Sequence, residues 1–211
     1  MPLVHFSTDY VFNGSGDRSW REDSPTEPLS AYGASKLAGD VAIQAAGGAH
    51  LIARTSWVYA AKGSNFLRTI ARLAGERKEL RIVADQIGAP TTAQAIASAV
   101  AGIVLPNITT LHDQLMRRGG VVNLVCAGET SWHGFATAIV GGLRSRGVTL
   151  AVDNIVPIAT ADFPTKAVRP GNSRLDLTRL KAQFGVAMPT WQEALARELD
   201  AYVQLSAPAH A

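Results

Sequence analysis

Between Leu3 and about residue 145, short apolar runs alternate with longer segments of helical periodicity, and this alternation confines the chain to an α/β architecture. Leu3 to Ser7 reads as a strand buried in a parallel sheet, with further strands at His50 to Thr55, Leu80 to Val83 and Val121 to Val125. The intervening helices carry their own punctuation. Ser30 is an N-cap for a helix from Ala31 to Ala46 that Gly47-Gly48 ends, and Phe66 to Leu73 is amphipathic. Residues 93–105 form an Ala-rich helix closed by Pro106, and a further helix runs from Trp132 to Arg144. Gly and Pro steps make residues 13–30 a loop, and Ser56 to Tyr59 and Gly88 to Thr92 read as connections. Beyond residue 145 the pattern is irregular: an extended stretch from Leu150 to Ile158, a Pro-containing loop, short helices near 178–184 and 191–204, and a frayed tail. The expected fold is therefore a doubly wound parallel sheet over residues 1–145, with a smaller lobe over 146–211 interleaved with it.

Composition narrows the functional classes. With 211 residues, 47% of them hydrophobic and 18% charged, the chain can bury one sizeable core. The net charge is only +3, and like charges cluster no further than pairs such as Arg117-Arg118. That argues against the dense basic stripe of a nucleic-acid binder. No apolar run reaches the ~18 residues of a membrane span. A single cysteine, Cys126, excludes an internal disulfide and a Cys-based zinc site. Together with the lack of a leader-like pattern after Met1, this leads us to expect a cytoplasmic protein that partners neither membrane nor nucleic acid.

The chemistry gathers at the strand ends. Thr8 and Asp9 follow the first strand and Trp57 follows the second, at the carboxyl edge where α/β sheets bind ligands. The helix that begins after Ser30 places Tyr32 and Lys36 four residues apart, on one face and one turn from each other. A unit charge ~5.5 Å from a phenolate, at an effective dielectric of ~20, is worth about 3 kcal/mol. An ammonium so placed stabilises the phenolate and makes the phenol a usable proton donor. The isolated arginines suit small anions such as phosphates, for which a fork-shaped guanidinium is matched.

Four segments extend the pattern: Ser7-Thr8-Asp9-Tyr10-Val11-Phe12, Tyr32-Gly-Ala-Ser-Lys36, Arg54-Thr-Ser-Trp57-Val-Tyr59 and Arg169-Pro-Gly-Asn-Ser173. With Asp85-Gln86-x-Gly88-Ala-Pro90-Thr91 and Ser131-Trp132-His133 they resemble the extended short-chain dehydrogenase/reductases over nearly the whole chain. Within that family they are similar to the branch that reduces a dTDP-bound 4-keto deoxysugar. The resemblance implies a Rossmann-like sheet with a carboxyl-terminal substrate lobe. It also implies reduction of dTDP-4-dehydro-L-rhamnose to dTDP-L-rhamnose by hydride from NADPH or NADH. In that scheme Tyr32 gives the proton, while Lys36 holds the nicotinamide ribose and keeps the phenol acidic. Thr8 hydrogen-bonds the keto oxygen, and Phe6 lines the cofactor. Asp9 and Trp57 contact the sugar, and Arg169 and Asn172 the diphosphate end.

One element of that family is missing. No G-x-G-x-x-G or G-x-x-G-x-x-G occurs in the chain, so the turn that cradles a dinucleotide pyrophosphate is not encoded. The expectation is a sheet incomplete at its N-terminus, with an apolar edge at Leu3 to Ser7 and a true start upstream of Met1. The residues leave NADPH against NADH, a divalent ion such as Mg2+, and a monomer against a homodimer open. An epimerase or dehydratase of the same superfamily would share Tyr32 and Lys36. A sugar-nucleotide-binding subunit or an inactive fragment would lack the cofactor half.

Overall fold

The structure, a computed structural model, describes residues 1–163, 165 and 167–206. Its first half runs β1 (Leu3–Thr8), α1 (Ala31–Ala45), β2 (His50–Thr55), β3 (Val58–Tyr59), α2 (Phe66–Glu76), β4 (Glu79–Val83), β5 (Ile87–Gly88), β6 (Thr91–Thr92) and α3 (Ala93–Val104). The second half runs α4 (Leu111–Arg118), β7 (Gly120–Asn123), β8 (Thr130–Ser131), α5 (Trp132–Arg144), β9 (Asn154–Ile158), β10 (Asn172–Ser173), α6 (Thr178–Phe184) and α7 (Trp191–Ser206). The tail expected to fray falls largely on 207–211, outside the described residues.

A parallel three-stranded sheet, ordered β1-β2-β7, forms a Rossmann-like α/β core. Alternation along β2 decides what lies on each face. Leu51 and Ala53 join Ile96, Ile103, Leu115 and Leu180 in a cluster under α3, α4 and α6. Arg54 points the other way, to α1. There Asp40 accepts hydrogen bonds from Ser7 Oγ at 2.8 Å and Arg54 Nε at 3.4 Å, all three side chains being buried. Arg54 also donates through Nη1 to the Glu22 carbonyl at 3.2 Å and lies over the Phe12 ring. Burial lowers the Arg54 guanidinium pKa and the Asp40 carboxylate opposes that fall.

A second core holds the remaining layers together. α2, α5 and α7 pack over Leu80 of β4, with Leu67, Ile70, Phe135, Ile139 and Leu199 fully buried between them. β4 pairs in parallel with β9, and α6 returns to the main sheet through Leu180, so the described residues beyond 145 are woven into those before it. By itself, no helix among the described residues is long and apolar enough to cross a membrane.

Two local readings are corrected. Val58–Tyr59 and Thr91–Thr92, expected as connections, pair as the short parallel strands β3 and β6. Each is two residues long, too short to show a period. α4 was not expected at all. Its sequence is polar, only Leu115 is buried, and Thr110 supplies no side-chain cap.

Asp40→Ala removes the partner of a buried guanidinium and should cost about 3–5 kcal/mol in urea unfolding. A loss under about 1 kcal/mol would mean that Arg54 is satisfied without it.

Candidate active site

The site begins with a glycine. A Cβ on Gly33 would sit 2.2 Å from the Tyr10 carbonyl oxygen, so only glycine lets the first turn of α1 close on the 3-10 turn Asp9–Val11 that follows β1. This contact sets Tyr32 edge-on to Tyr10, with ring centroids 5.8 Å apart, and leaves Tyr32 56% exposed at the carboxyl edge of the sheet. One turn further, Lys36 Nζ donates to the Phe6 carbonyl at 2.5 Å and contacts His5 Nε2 at 3.3 Å. Because an ammonium can only donate, Nε2 is the acceptor and the imidazole proton sits on Nδ1. Burial, and then the Lys36 charge, hold the His5 pKa below its ordinary value. The 3.8 Å approach of His5 to Asp40 is therefore not an ion pair at neutral pH. Lys36 keeps one N–H free for a ligand or for the phenolate.

Asp9, which opens the turn that Tyr10 belongs to, is buried. Its Oδ1 accepts from Thr8 Oγ1 at 3.0 Å, while Oδ2 is buried without a partner. Burial pushes its pKa up to about 6, against the neighbouring Ser173 and Thr8 hydroxyls, which lower it. Thr8 Oγ1 in turn accepts from the Tyr10 N–H at 3.2 Å. In this structure the Thr8 hydroxyl, expected to donate to a keto oxygen, donates instead to Asp9.

Trp57 reaches the same site by an unusual backbone. Its φ is +50°, the one described non-glycine residue with positive φ. Its ring stacks on Trp132 at 3.7 Å and 13°, and a Cβ on Gly88 would lie 2.8 Å from that ring and 3.0 Å from Ser173 Cβ. Gly88 thus brings Trp57 beside Ser173, and Ser173 beside Asp9. Arg169 is exposed, and its charge lowers the Tyr10 pKa against the larger effect of burial. With Phe66, Ile82, Gln86, Trp132 and Phe163 it lines a cleft of about 110 Å3. Among the described residues no carboxylate pairs with Arg169.

Asn172, expected at the diphosphate end, is buried within the protein. Its Nδ2 donates to the Ser15 and Arg18 carbonyls and its Oδ1 accepts from Arg174 N and Nη1, so a buried amide has spent all its hydrogen bonds on bracing loops. Phe6 is 47% exposed on β1, an edge strand in the described sheet. Among the described residues no group of three His, Cys, Asp or Glu is placed to hold a metal ion. Sequence reasoning missed the part played by Tyr10, Ser173 and Gln86. Gly33 and Gly88, each at a forced close approach, were the available signals.

A parallel sheet carrying a Tyr-x-x-x-Lys helix against the end of its first strand defines a short-chain dehydrogenase/reductase type of α/β protein. Residues 1–204 match the family described as RmlD substrate binding domain, and the chain belongs to that family. It is 48% identical over 197 residues to the dTDP-4-dehydrorhamnose reductase of Burkholderia thailandensis, covering 92% of this chain and 65% of that one. The crystal structure of a dTDP-4-dehydrorhamnose reductase from Clostridium acetobutylicum superposes with a TM-score of 0.80 at 33% identity, over 95% of this chain and 65% of that one. That of Bacillus anthracis, in complex with NADP, gives 0.79 at 32%, over 94% and 65%. The chain thus spans about 65% of the length of these relatives.

The raised Asp9 pKa fixes the sign of a pH effect. Between its unfolded value near 3.8 and its folded value of about 6 the native state binds the extra proton, so stability falls as pH rises through that window. Asp9→Asn should gain up to about 3 kcal/mol over the parent at pH 7, with the gap closing below pH ~4. Denaturant unfolding across pH 4–8 reads it, and a pH-independent gap would contradict the assignment.

Proposed function

We propose that the chain carries the sugar-nucleotide side and the proton donor of a reductase that converts dTDP-4-dehydro-L-rhamnose to dTDP-L-rhamnose. The observation that carries this reading is a convergence. Tyr32 stands exposed edge-on to Tyr10, the residue after the buried Asp9, and Arg169, without a carboxylate partner among the described residues, lines an aromatic cleft. In this arrangement Arg169 binds the diphosphate and the stacked Trp57 presents an indole edge to the sugar. Asp9 Oδ2, having no partner in the protein, accepts from a sugar hydroxyl. Tyr32 Oη gives its proton to O4 as the carbonyl carbon becomes a C–H, and Lys36 stabilises the phenolate left behind.

Bound reduced nicotinamide supplies the hydride in such a reaction. The residues present fit its nicotinamide–ribose end, where the free N–H of Lys36 and the exposed Phe6 face the open edge of β1. They do not fit its pyrophosphate, for which the chain has no Gly-rich turn. The dTDP-sugar should therefore bind more readily than the cofactor.

Calorimetry with dTDP-rhamnose and nicotinamide fluorescence with NADPH separate the possibilities. Sugar-nucleotide binding that Arg169→Ala weakens about tenfold or more supports the reading. Absence of that binding in the folded chain sinks it. Sugar-nucleotide binding without NADPH binding identifies a substrate-side subunit. When this chain is joined to the Gly-rich segment of a full-length relative, Tyr32→Phe should cut turnover by orders of magnitude and leave NADPH affinity nearly unchanged. Unchanged turnover would remove Tyr32 from the role of acid.

A further inference from the structure

Gln86 sits where the aromatic floor of the site meets the carboxyl-terminal loop, and it is 95% buried. Its Oε1 accepts from Trp132 Nε1 at 3.1 Å, and its Nε2 donates to Thr160 Oγ1 at 3.0 Å. Both directions are forced. An indole N–H can only donate, and the Thr160 hydroxyl proton is already given to Asp85 Oδ1 at 2.6 Å, leaving its lone pairs to accept. Asp85 also takes the Thr160 backbone N–H, which docks the turn Thr160–Asp162 and brings Phe163 to the cleft. On its other side Trp132 stacks on Trp57 and leans on Phe66. The left-handed backbone of Trp57 has no glycine to make it easy, so its surroundings must hold it.

We infer that Gln86 is a positioning residue for the sugar-nucleotide site: by aiming Trp132 it fixes the face of Trp57, and through Thr160 it makes that aim depend on the docked loop. The inference rests on the sugar-nucleotide reading for its functional consequence and on the hydrogen-bond polarity alone for its structural one. An amide is needed because one end must accept and the other must donate. A leucine of similar volume leaves an indole N–H and a hydroxyl oxygen unpaired and frees the Trp132 ring to rotate. The relay also ties two walls of the cleft, Trp132 and Phe163, to a single side chain. Loss of the amide should thus disturb binding more than it disturbs folding.

The stacked indoles supply their own reporter. Of the four tryptophans, only Trp57 and Trp132 stack on each other; Trp20 stacks on Phe12 and Trp191 meets Phe135 edge-on. An exciton couplet in the far-ultraviolet circular dichroism therefore belongs to that pair, and Trp57→Phe should abolish it. In Gln86→Leu we expect the couplet to fall by half or more, dTDP-rhamnose to bind about tenfold more weakly, and the unfolding transition to stay cooperative. Thr160→Val leaves the Trp132 bond and the backbone docking in place but removes the amide's second anchor. It should give an intermediate loss, and it keeps the test open if Gln86→Leu does not fold. A couplet of full amplitude in the folded Gln86→Leu protein, or in Thr160→Val if Gln86→Leu does not fold, overturns the inference. A diminished couplet with unchanged affinity upholds the positioning of the indoles and contradicts the placement of Trp57 at the sugar.

Discussion

One buried carboxylate seats the helix on which the site depends. Tyr32, Lys36 and Asp40 follow one another at i, i+4 and i+8 along a single stripe of α1. At the buried end Asp40 holds Ser7 of β1 and Arg54 of β2; in the middle Lys36 reaches the Phe6 carbonyl; at the exposed end Tyr32 stands at the sheet edge. A buried ion pair of this kind adds little net stability compared with apolar packing, because both charges lose their water. Its value is geometric. A helix anchored to two strands by one carboxylate has a single seating, and the close approach at Gly33 fixes the other end of the same turn sequence.

The site above that stripe is built from groups the fold would not choose for stability. Asp9 is buried with one oxygen unpartnered, and Trp57 takes a backbone conformation that ordinary residues avoid. Each is unfavourable in isolation and both lie at the carboxyl edge of the parallel strands; the packing around Trp57 holds its backbone, while the free oxygen of Asp9 is left for a polar partner. Arg169, without a carboxylate partner among the described residues, belongs to the same pattern. Around them, the carboxylate of Asp85 and the amide of Gln86 fasten the carboxyl-terminal loop, so the cleft is framed by hydrogen bonds from residues distant in sequence.

Much of this was legible in the sequence, for identifiable reasons. α1 and β2 have strong local signals: a Ser30 cap, a terminating Gly47 at φ +69°, and a central strand with Leu51 to Ala53 fully buried. The pairing of β3 with β6 and the polar helix α4 had none, since two-residue strands show no period and α4 buries only Leu115. Asn172 stands in the motif that suggests a nucleotide contact, yet the need to satisfy four loop groups claims its amide. Thr8 is claimed in the same way by Asp9. Residue type and spacing locate a site, whereas the competition of neighbours for each hydrogen bond decides which members are free to use.

Strand β1 matters twice. Its carboxyl end delivers Thr8 and Asp9 to the site, and its outer edge is unpaired among the described strands, with Leu3 and Phe6 about half exposed. The central claim is that one sugar nucleotide spans Tyr32, Trp57 and Arg169. A crystal structure of the chain with dTDP-rhamnose tests it most directly. The account predicts the sugar O4 within hydrogen-bonding reach of Tyr32 Oη and the diphosphate on Arg169; a ligand seated elsewhere, with Tyr32 facing solvent, would contradict it.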